Sequence, residues 1–387
     1  MLRLLHLANL HLGARHVELG AAGAAQRERQ WQAFERALEL AAAEQCALVL
    51  LAGDLFDSNA QPRRSVERAA RILGSFVAAG GRVVLLPGDS DPYDAASLYR
   101  TYDLAALAGL PADSDGIHVL TPGRATHVVP ALDLAVRGYA VRGYAATGST
   151  PLDAALEAPQ DETETGVRLR VGIAHAAVGG DGAGISERAV AASGLDYLAL
   201  GGAMALQQGV VGTTRWADPG PPELVEERTT TAGQVLLVTL DPDARERVQI
   251  EPRTVGRTRR LRLELAATDF DAESALATHL AALADPDLAC DVRLTGERPI
   301  GLHLDEAALE AQLGPGFLHL RIRDASLPAE PAGQPPAAES IAGAFVRDLG
   351  VRIANAVAEG REEEAHELRE QLDLGLRLLA SSTGMPV

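Results

Sequence analysis

The chain has 387 residues, of which 47% are hydrophobic and 23% are charged, and this composition excludes a disordered or low-complexity protein. All 35 basic residues are arginine and the formal net charge is −18, so any contact with a polyanion must come from a local arginine patch or from a partner. The two cysteines lack a CxxC spacing and no apolar run reaches membrane-spanning length, which argues against a disulfide framework or zinc knuckle and predicts a cytoplasmic protein.

The N-terminal part of the chain alternates short apolar runs with helical patterns. Apolar runs at residues 2–8, 48–52 and 82–87 predict strands. Helical periodicity predicts helices between them, at residues 26–44 and 63–79. This β-α-β-α-β order predicts parallel strands with helices packed on the sheet. Further strands are predicted at residues 167–175, 197–201 and 234–240. The fold class is therefore α/β, and a four-layer α/β/β/α sandwich accommodates it, although periodicity alone does not separate one sheet from two.

A second, smaller unit is predicted to begin near residue 256. Leu261, Leu263 and Leu265 alternate with polar residues as in a half-buried strand, which opens a small α/β cap. Its other elements are a helix at 273–284 and strands at 291–295 and 318–322. The last part of the chain is helical and carries an apolar stripe that must be buried against something. We therefore divide the chain into a main domain, a cap, a Pro- and Ala-rich linker and a C-terminal helical segment, at residues 1–255, 256–325, 326–338 and 339–387.

Polar side chains follow five of the predicted strands, at the point where each strand ends. In an α/β sheet, ligands gather at the carboxyl ends of the strands. Singly, Asp54 could cap a turn and His175 could be a hydrogen-bonded core histidine. As an ordered series, the five segments predict one shared site. They are residues 6–13 (HLANLHLG), 52–57 (AGDLFD), 87–92 (PGDSDP), 172–175 (GIAH) and 196–204 (DYLALGGAM).

In their order and spacing these segments resemble the SbcD-type and YhaO-type exonucleases of DNA double-strand-break repair, which are calcineurin-like metallophosphoesterases. The resemblance covers the main domain well, and the cap and C-terminal helices loosely. It implies the four-layer sandwich and a pair of manganese ions that activate water and clamp the phosphodiester. By position, Asp54 matches the ligand that bridges the two metals, and His11 and His175 match two histidine ligands.

The chain departs from the family pattern at five positions. Asn9 stands where the family has an Asp, and Asp89 stands where it has a ligating Asn, which keeps an oxygen donor. Ser90 occupies the position of the catalytic histidine, and a hydroxyl does not act as an acid near neutral pH. Gly202 and Met204 replace both histidines of the last segment. The resemblance therefore implies an impaired centre that holds at most one manganese or magnesium ion, weakly.

Asp54, Asp89 and His175 are best suited to hold such an ion. Asp57 and Asp91 also match family positions, but turn capping explains them nearly as well. The first functional hypothesis is a catalytically impaired or inactive repair-nuclease homologue that acts as a structural or regulatory subunit. The second is an active manganese-dependent exonuclease or phosphodiesterase with an altered metal site, and a small-molecule phosphatase is a weaker third.

The resemblance also implies partners. It implies a homodimer, a coiled-coil ATPase of the SbcC type bound by the C-terminal helices, and DNA bound directly or through that partner. The densest basic stretch contains Arg253, Arg257, Arg259 and Arg260, which could contact a phosphate backbone. A solvated strand edge guarded by arginines is the alternative interpretation.

Overall fold

The computed structural model describes residues 1–139, 152–158, 166–179, 184–225, 233–299, 302–328 and 339–382. The chain divides into two compact units, Met1–Arg260 and Leu261–Val387. Among the described residues, no helix combines the length and the apolar character that crossing a membrane requires.

The first unit follows the predicted alternation of strands and helices. Its strands are β1 (Leu2–Leu7), β2 (Leu48–Ala52), β3 (Arg82–Leu86), β4 (Ile117–Val119), β5 (Thr126–Val129), β6 (Leu134–Tyr139), β7 (Leu169–His175), β8 (Tyr197–Gly201), β9 (Gln207–Val211), β10 (Thr214–Asp218), β11 (Gln234–Leu240) and β12 (Val248–Thr254). Its helices are α1 (Gly23–Ala43), α2 (Arg63–Ala78), α3 (Leu98–Thr101), α4 (Leu104–Leu107), α5 (Leu152–Glu157) and α6 (Glu187–Ala192), with short 3-10 segments at Val17–Ala22 and Pro130–Leu132.

The described strands of this unit form two six-stranded sheets. The first has the order β12-β11-β1-β2-β3-β4, and β1 to β4 run parallel. The parallel arrangement of β1, β2 and β3 agrees with the prediction, whereas the sequence pattern did not predict β4. The second has the order β5-β6-β7-β8-β10-β9, with a parallel centre from β6 to β10. Strands β2 and β8 are buried along their whole length, which is typical of parallel strands covered on both faces.

The two sheets pack face to face between two layers of helices. Leu4, Leu50 and Val84 of the first sheet share one apolar core with Ile173 and Tyr197 of the second. The opposite face of the first sheet packs on α1 and α2, and that of the second on α5 and α6. Because side chains alternate along a strand, each sheet supplies one face to the shared core and one to the helices. The four-layer α/β/β/α sandwich is thereby confirmed.

The second unit contains a small sheet and a helical hairpin. Its remaining elements are β13 (Arg259–Ala266), which begins at the boundary, α7 (Glu273–Ala281), β14 (Leu288–Thr295), β15 (Glu297–Arg298), α8 (Glu306–Leu313), β16 (His319–Asp324), β17 (Leu327–Pro328), α9 (Ile341–Ala358) and α10 (Glu362–Ser382), with 3-10 segments at Ala267–Asp269 and Gly314–Gly316. Strands β13, β14 and β16 form a sheet that packs with α7 and α8 around one apolar core. Most of the predicted linker, residues 329–338, lies outside the described residues.

Helices α9 and α10 bury their apolar stripes against each other. Leu349 and Ala356 of α9 pack with Ala365 and Leu368 of α10. The turn between the helices is made by Gly360, which adopts a φ of 71° that side chains other than glycine rarely take. Most of the stripe recognised in the sequence is therefore covered within this hairpin, and Ile341 at the start of α9 remains exposed.

Candidate active site

The carboxyl ends of β1, β2, β3, β7 and β8, together with the loops that follow them, carry the five sequence segments, and three glycines let these strand ends approach closely. A Cβ atom at Gly53 would overlap the His175 ring, and one at Gly88 would overlap the Asp54 carboxylate. A Cβ atom at Gly201, at the end of β8 in the second sheet, would overlap the Ala52 carbonyl oxygen at the end of β2 in the first. The parallel strands of both sheets therefore bring the predicted residues to one place.

Three non-glycine residues of these loops have left-handed backbone. Asn9, His11 and Asp54 have φ values of 55°, 45° and 52°. Such conformations are strained for side-chain-bearing residues and persist where surrounding contacts hold them. Here the Asn9 N–H donates to the Gly53 carbonyl at 3.2 Å and the His11 N–H donates to the Asp54 carbonyl at 2.9 Å. The two loops thus fix each other in an unusual geometry at the centre of the site.

Asp54 is the centre around which the other side chains gather. Its Oδ1 accepts the Ser90 backbone N–H at 2.8 Å, and its Oδ2 accepts the Ser90 hydroxyl at 3.1 Å. The Nε2 atoms of His175 and His11 lie 3.3 and 3.4 Å from the same Oδ2. The carboxylate is almost fully buried, and its two oxygens are engaged by groups of this chain.

Asp54 and His175 form an ion pair near neutral pH. Burial alone would raise the pKa of the Asp54 carboxyl, but the hydrogen bond and charge of His175, with smaller contributions from His11 and the Ser90 N–H, lower it to about 2. Burial lowers the pKa of His175, but the Asp54 carboxylate and the Ala52 carbonyl raise it to about 9. Since Nδ1 of His175 lies 3.0 Å from the Ala52 carbonyl oxygen, the charged imidazole donates from both ring nitrogens.

Asn9 holds the segment that follows β8. Its Oδ1 accepts the Gly202 N–H at 3.0 Å, and its Nδ2 donates to the Ala203 carbonyl at 2.8 Å. The buried Asp218 accepts the Ala203 N–H at 2.9 Å from the other side. An amide can make this donor and acceptor pair and a carboxylate cannot, so Asn9 has a structural task that an Asp could not perform.

Asp91 links the loops after β2 and β3. It is fully buried, and its carboxylate accepts the Phe56 and Gly88 backbone N–H groups and the Tyr99 hydroxyl. Burial raises its pKa to about 6, against the lowering effect of these hydrogen bonds. Asp91 therefore supports both loops that carry Asp54 and Ser90. By contrast, Asp57 is more exposed and contacts only the edge of the site, with Oδ1 3.4 Å from Nδ1 of His11.

The comparisons with known proteins agree with this geometry. Residues 2–143 match the model of the calcineurin-like phosphoesterase family. The chain is also similar to the DNA double-strand break repair protein Mre11 of Aeropyrum pernix, with 35% identity over 91 residues, which are 24% of this chain and 21% of that protein. The match thus spans about a fifth of the length of this curated relative.

Two solved structures give weaker likenesses. The crystal structure of TT1561 of Thermus thermophilus aligns with 65% of this chain and 98% of its own, at 16% identity and a TM-score of 0.42. A second crystal structure aligns over the same shares at 14% identity and a TM-score of 0.38.

Calcineurin-like phosphoesterases typically bind divalent metal ions, but the donors of this domain do not fit a closely coordinated metal pair. Within the described part of the chain, no group of three or more His, Cys, Asp or Glu side chains is arranged to hold a metal ion. Asn9 turns its amide oxygen to the Gly202 N–H, and Gly202 itself supplies no ligand. Asp89 is exposed. The retained side chains of His11, Asp54 and His175 contact one another.

The arginine stretch from Arg253 to Arg260, at the end of β12 and the start of β13, is not an open basic patch. Arg253 pairs with Glu251 at 2.7 Å, and the Arg260 side chain is buried. Backbone N–H groups of this stretch donate to Glu223, which is also buried. A contact of Arg253, Arg257, Arg259 and Arg260 with DNA stays a prediction.

Replacing Asn9 by Asp is expected to lower the free energy of unfolding by about 1–3 kcal/mol, because the carboxylate cannot donate to Ala203 and its charge would face that carbonyl oxygen. Urea denaturation followed by tryptophan fluorescence measures this, since Trp31 and Trp216 both lie in the first unit. The same amide-to-acid change at the exposed Gln208 of β9 should alter stability by less than about 0.5 kcal/mol. Equal effects of the two variants would contradict the structural task assigned to Asn9.

Proposed function

We propose that this chain is a DNA-repair nuclease homologue whose catalytic centre is impaired or inactive, and that it acts as a structural or regulatory subunit in double-strand-break repair. The observation that carries the proposal is the environment of Asp54. The residue at the position of a metal-bridging ligand is instead paired with His175 and bonded twice to Ser90. Groups of the chain itself satisfy the carboxylate that a catalytic metal would need.

The substituted positions support the same conclusion. Asn9 and Gly202, two positions where the family has ligands, are hydrogen-bonded to each other. Ser90, at the position of the family's acid, donates to Asp54. Because residues of a catalytic unit fail together, losing the acid and several ligands at once should remove most of the rate enhancement.

An active, manganese-dependent exonuclease or phosphodiesterase with an altered site is the second candidate. It is favoured by the buried ring of His11, whose two nitrogens make no hydrogen bond to the described residues. It is also favoured by the left-handed backbone at Asn9, His11 and Asp54, since strain of this kind is concentrated at functional sites. In that case, one weakly held manganese or magnesium ion would be ligated by Asp54 and His175, with Asp89 nearby.

Hydrolysis of DNA ends decides between the two candidates. We expect the purified full chain, with manganese added, to release no nucleotides from single- or double-stranded ends above the level of Asp54→Ala, because the acid and ligands are missing. The measurement is nucleotide release from end-labelled oligonucleotides. Asp54→Ala serves as the control for a contaminating nuclease.

Hydrolysis by the wild-type chain that disappears in Asp54→Ala would overturn the proposal of an impaired centre and establish the second candidate. A manganese titration by calorimetry on the same preparations adds a readout that does not depend on turnover. A stoichiometric binding isotherm that Asp54→Ala abolishes would show that the site holds an ion.

The proposed partners follow from the same family. We propose that the chain forms a homodimer and acts in the cytoplasm. We also propose that it binds an SbcC-type coiled-coil ATPase through α9 and α10. The hairpin buries its main apolar stripe internally, and Ile341, Val351 and Val357 of α9 remain exposed on its surface. Exposed apolar side chains on a helix are suited to packing against another helix.

A further inference from the structure

An arginine-lined cleft opens between α1 and α2. Its volume is about 440 Å³. Arg27 comes from α1, and Arg64, Arg68 and Arg71 come from α2. Among the described residues that line the cleft, Glu28 is the single acidic one. On a chain with a net charge of −18, this is a local concentration of positive charge.

Arg68 lines the cleft and is held in place by several contacts. Its guanidinium donates to both carboxylate oxygens of Glu28, at 2.8 and 2.9 Å, and to Glu35 at 3.0 Å. It also lies over the Trp31 ring, 4.7 Å from the ring centre. These contacts neutralise Arg68 and hold α1 against α2, so this arginine shapes the cleft and is not the group left to bind a ligand.

Arg64 and Arg71 are the charges that remain available. Both side chains are exposed, and among the described residues neither has a carboxylate partner. Arg27 is half-buried and uses one nitrogen to donate to the Arg15 carbonyl at 2.8 Å, which leaves its other donors and its charge for a ligand. Three cationic side chains therefore border the cleft without an acidic partner among the residues that the structure describes.

The spacing of these arginines suits a chain of phosphates. Positions 64, 68 and 71 follow the i, i+4, i+7 steps that lie along one face of a helix. At 1.5 Å per residue, Arg64 and Arg71 are about 10 Å apart along α2, which is about three times the axial rise of about 3.4 Å per nucleotide in a DNA duplex. A single phosphate would reach one end of this row, whereas a phosphodiester backbone would follow it.

We propose that the cleft between α1 and α2 binds the phosphodiester backbone of DNA. The proposal rests on the function proposed above and names a direct DNA contact surface for it. The cleft is bordered by Gly13, two residues after His11, and by Gln61, four residues after Asp57. A Cβ atom at Gly13 would meet the Gln61 side chain, so the two loops that carry site residues also meet here. A backbone held by Arg64 and Arg71 thus lies beside the candidate active site.

Fluorescence anisotropy of a labelled single-stranded oligonucleotide and of its duplex tests the proposal. The full chain is used in EDTA, so that neither hydrolysis nor a metal contributes. Arg64→Ala/Arg71→Ala is expected to raise the Kd at least about fivefold at low salt and to reduce the slope of log K against log salt by about 2, because two phosphate contacts are lost. Unfolding in urea verifies that the double variant keeps the wild-type stability.

Arg63→Ala is the matched control. Arg63 begins the same helix, is exposed, and is paired with Glu67 at 2.8 Å outside the cleft lining. This variant should change the Kd by less than about twofold, since its charge is already compensated. Absence of wild-type binding, or equal losses in the control and the double variant, would overturn the cleft as a DNA site. The hydrolysis assay is a separate measurement, so the proposed DNA site in the cleft and the proposed impaired catalytic centre can each fail without the other.

Discussion

Gly201→Ala is expected to lower the free energy of unfolding of the first unit by about 3 kcal/mol or more. The added methyl group would overlap the Ala52 carbonyl oxygen and lie 2.9 Å from Nδ1 of His175. Because the overlapping oxygen belongs to the backbone of β2, the clash cannot be relieved by a side-chain rotation and must separate the ends of β2 and β8. Urea denaturation followed by tryptophan fluorescence measures the loss.

The control is the same substitution at Gly123. This glycine lies between β4 and β5, its φ is not in the left-handed region, and a Cβ atom there meets nothing within 4 Å. Gly123→Ala should therefore change the free energy of unfolding by less than about 0.5 kcal/mol. Similar stabilities for the two variants would mean that the two sheets do not approach as closely at the site as the structure shows.

The second large effect is the pH dependence that the Asp54–His175 pair gives to stability. The pKa of Asp54 is lowered to about 2, so its contribution is complete above its unfolded value of 3.8 and disappears as the pH falls through 2. The pKa of His175 is raised to about 9, so its contribution is complete below its unfolded value of 6.5 and disappears as the pH rises through 9. The pair should stabilise the fold most between these two unfolded values, by about 2 kcal/mol.

Unfolding free energies of the wild type and of His175→Gln, measured in EDTA between pH 5.5 and pH 9, test this window. We expect the difference between the two proteins to shrink as the pH rises above about 6.5, because the unfolded chain then releases the His175 proton that the folded protein retains until about pH 9. A difference that is constant over this range would show that no ion pair forms.

His118→Gln is a control for which we expect the opposite pH dependence of the stability difference. Burial, with the nearby His127 and Arg124, lowers the pKa of His118 to about 4. Its neutral form is therefore favoured in the folded state, and that contribution is lost as the pH falls from 6.5 through 4. The difference between wild type and His118→Gln should shrink toward acid, where the His175 difference is retained.

Much of the fold could be predicted because its determinants are local. The apolar runs of β1, β2 and β3 and the periodicity of α1 and α2 each occupy one stretch of chain, and their alternation predicts parallel strands. The convergence of His11 and Asp54 also follows, since parallel strands deliver their carboxyl ends to one edge of a sheet. His175 reaches them from the second sheet, at the end of β7. The number of sheets did not follow, because the pairing of strands depends on contacts between distant segments.

The functions of individual polar residues were harder to predict from the sequence. In the sequence Asn9 resembles a weakened ligand, and its role in holding the segment after β8 depends on Gly202, 193 positions away. The sequence directed attention to the clustered arginines near residue 257, although the spacing of Arg64, Arg68 and Arg71 was available as a helical signal. Arg27, which completes the cleft, joins them only through the packing of α1 on α2.

By itself, the sequence determined the α/β class, the alternation of elements, the strand-end positions of the candidate site and the residues substituted there, because all of these are encoded in local periodicity and order. Only the tertiary structure decided that Asp54 is satisfied by Ser90 and His175, that Asn9 holds the neighbouring segment, and which arginines of the cleft have no acidic partner in the described part of the chain. The physical reason is that hydrogen bonds and ion pairs join atoms a few ångströms apart in space, whatever their separation along the chain.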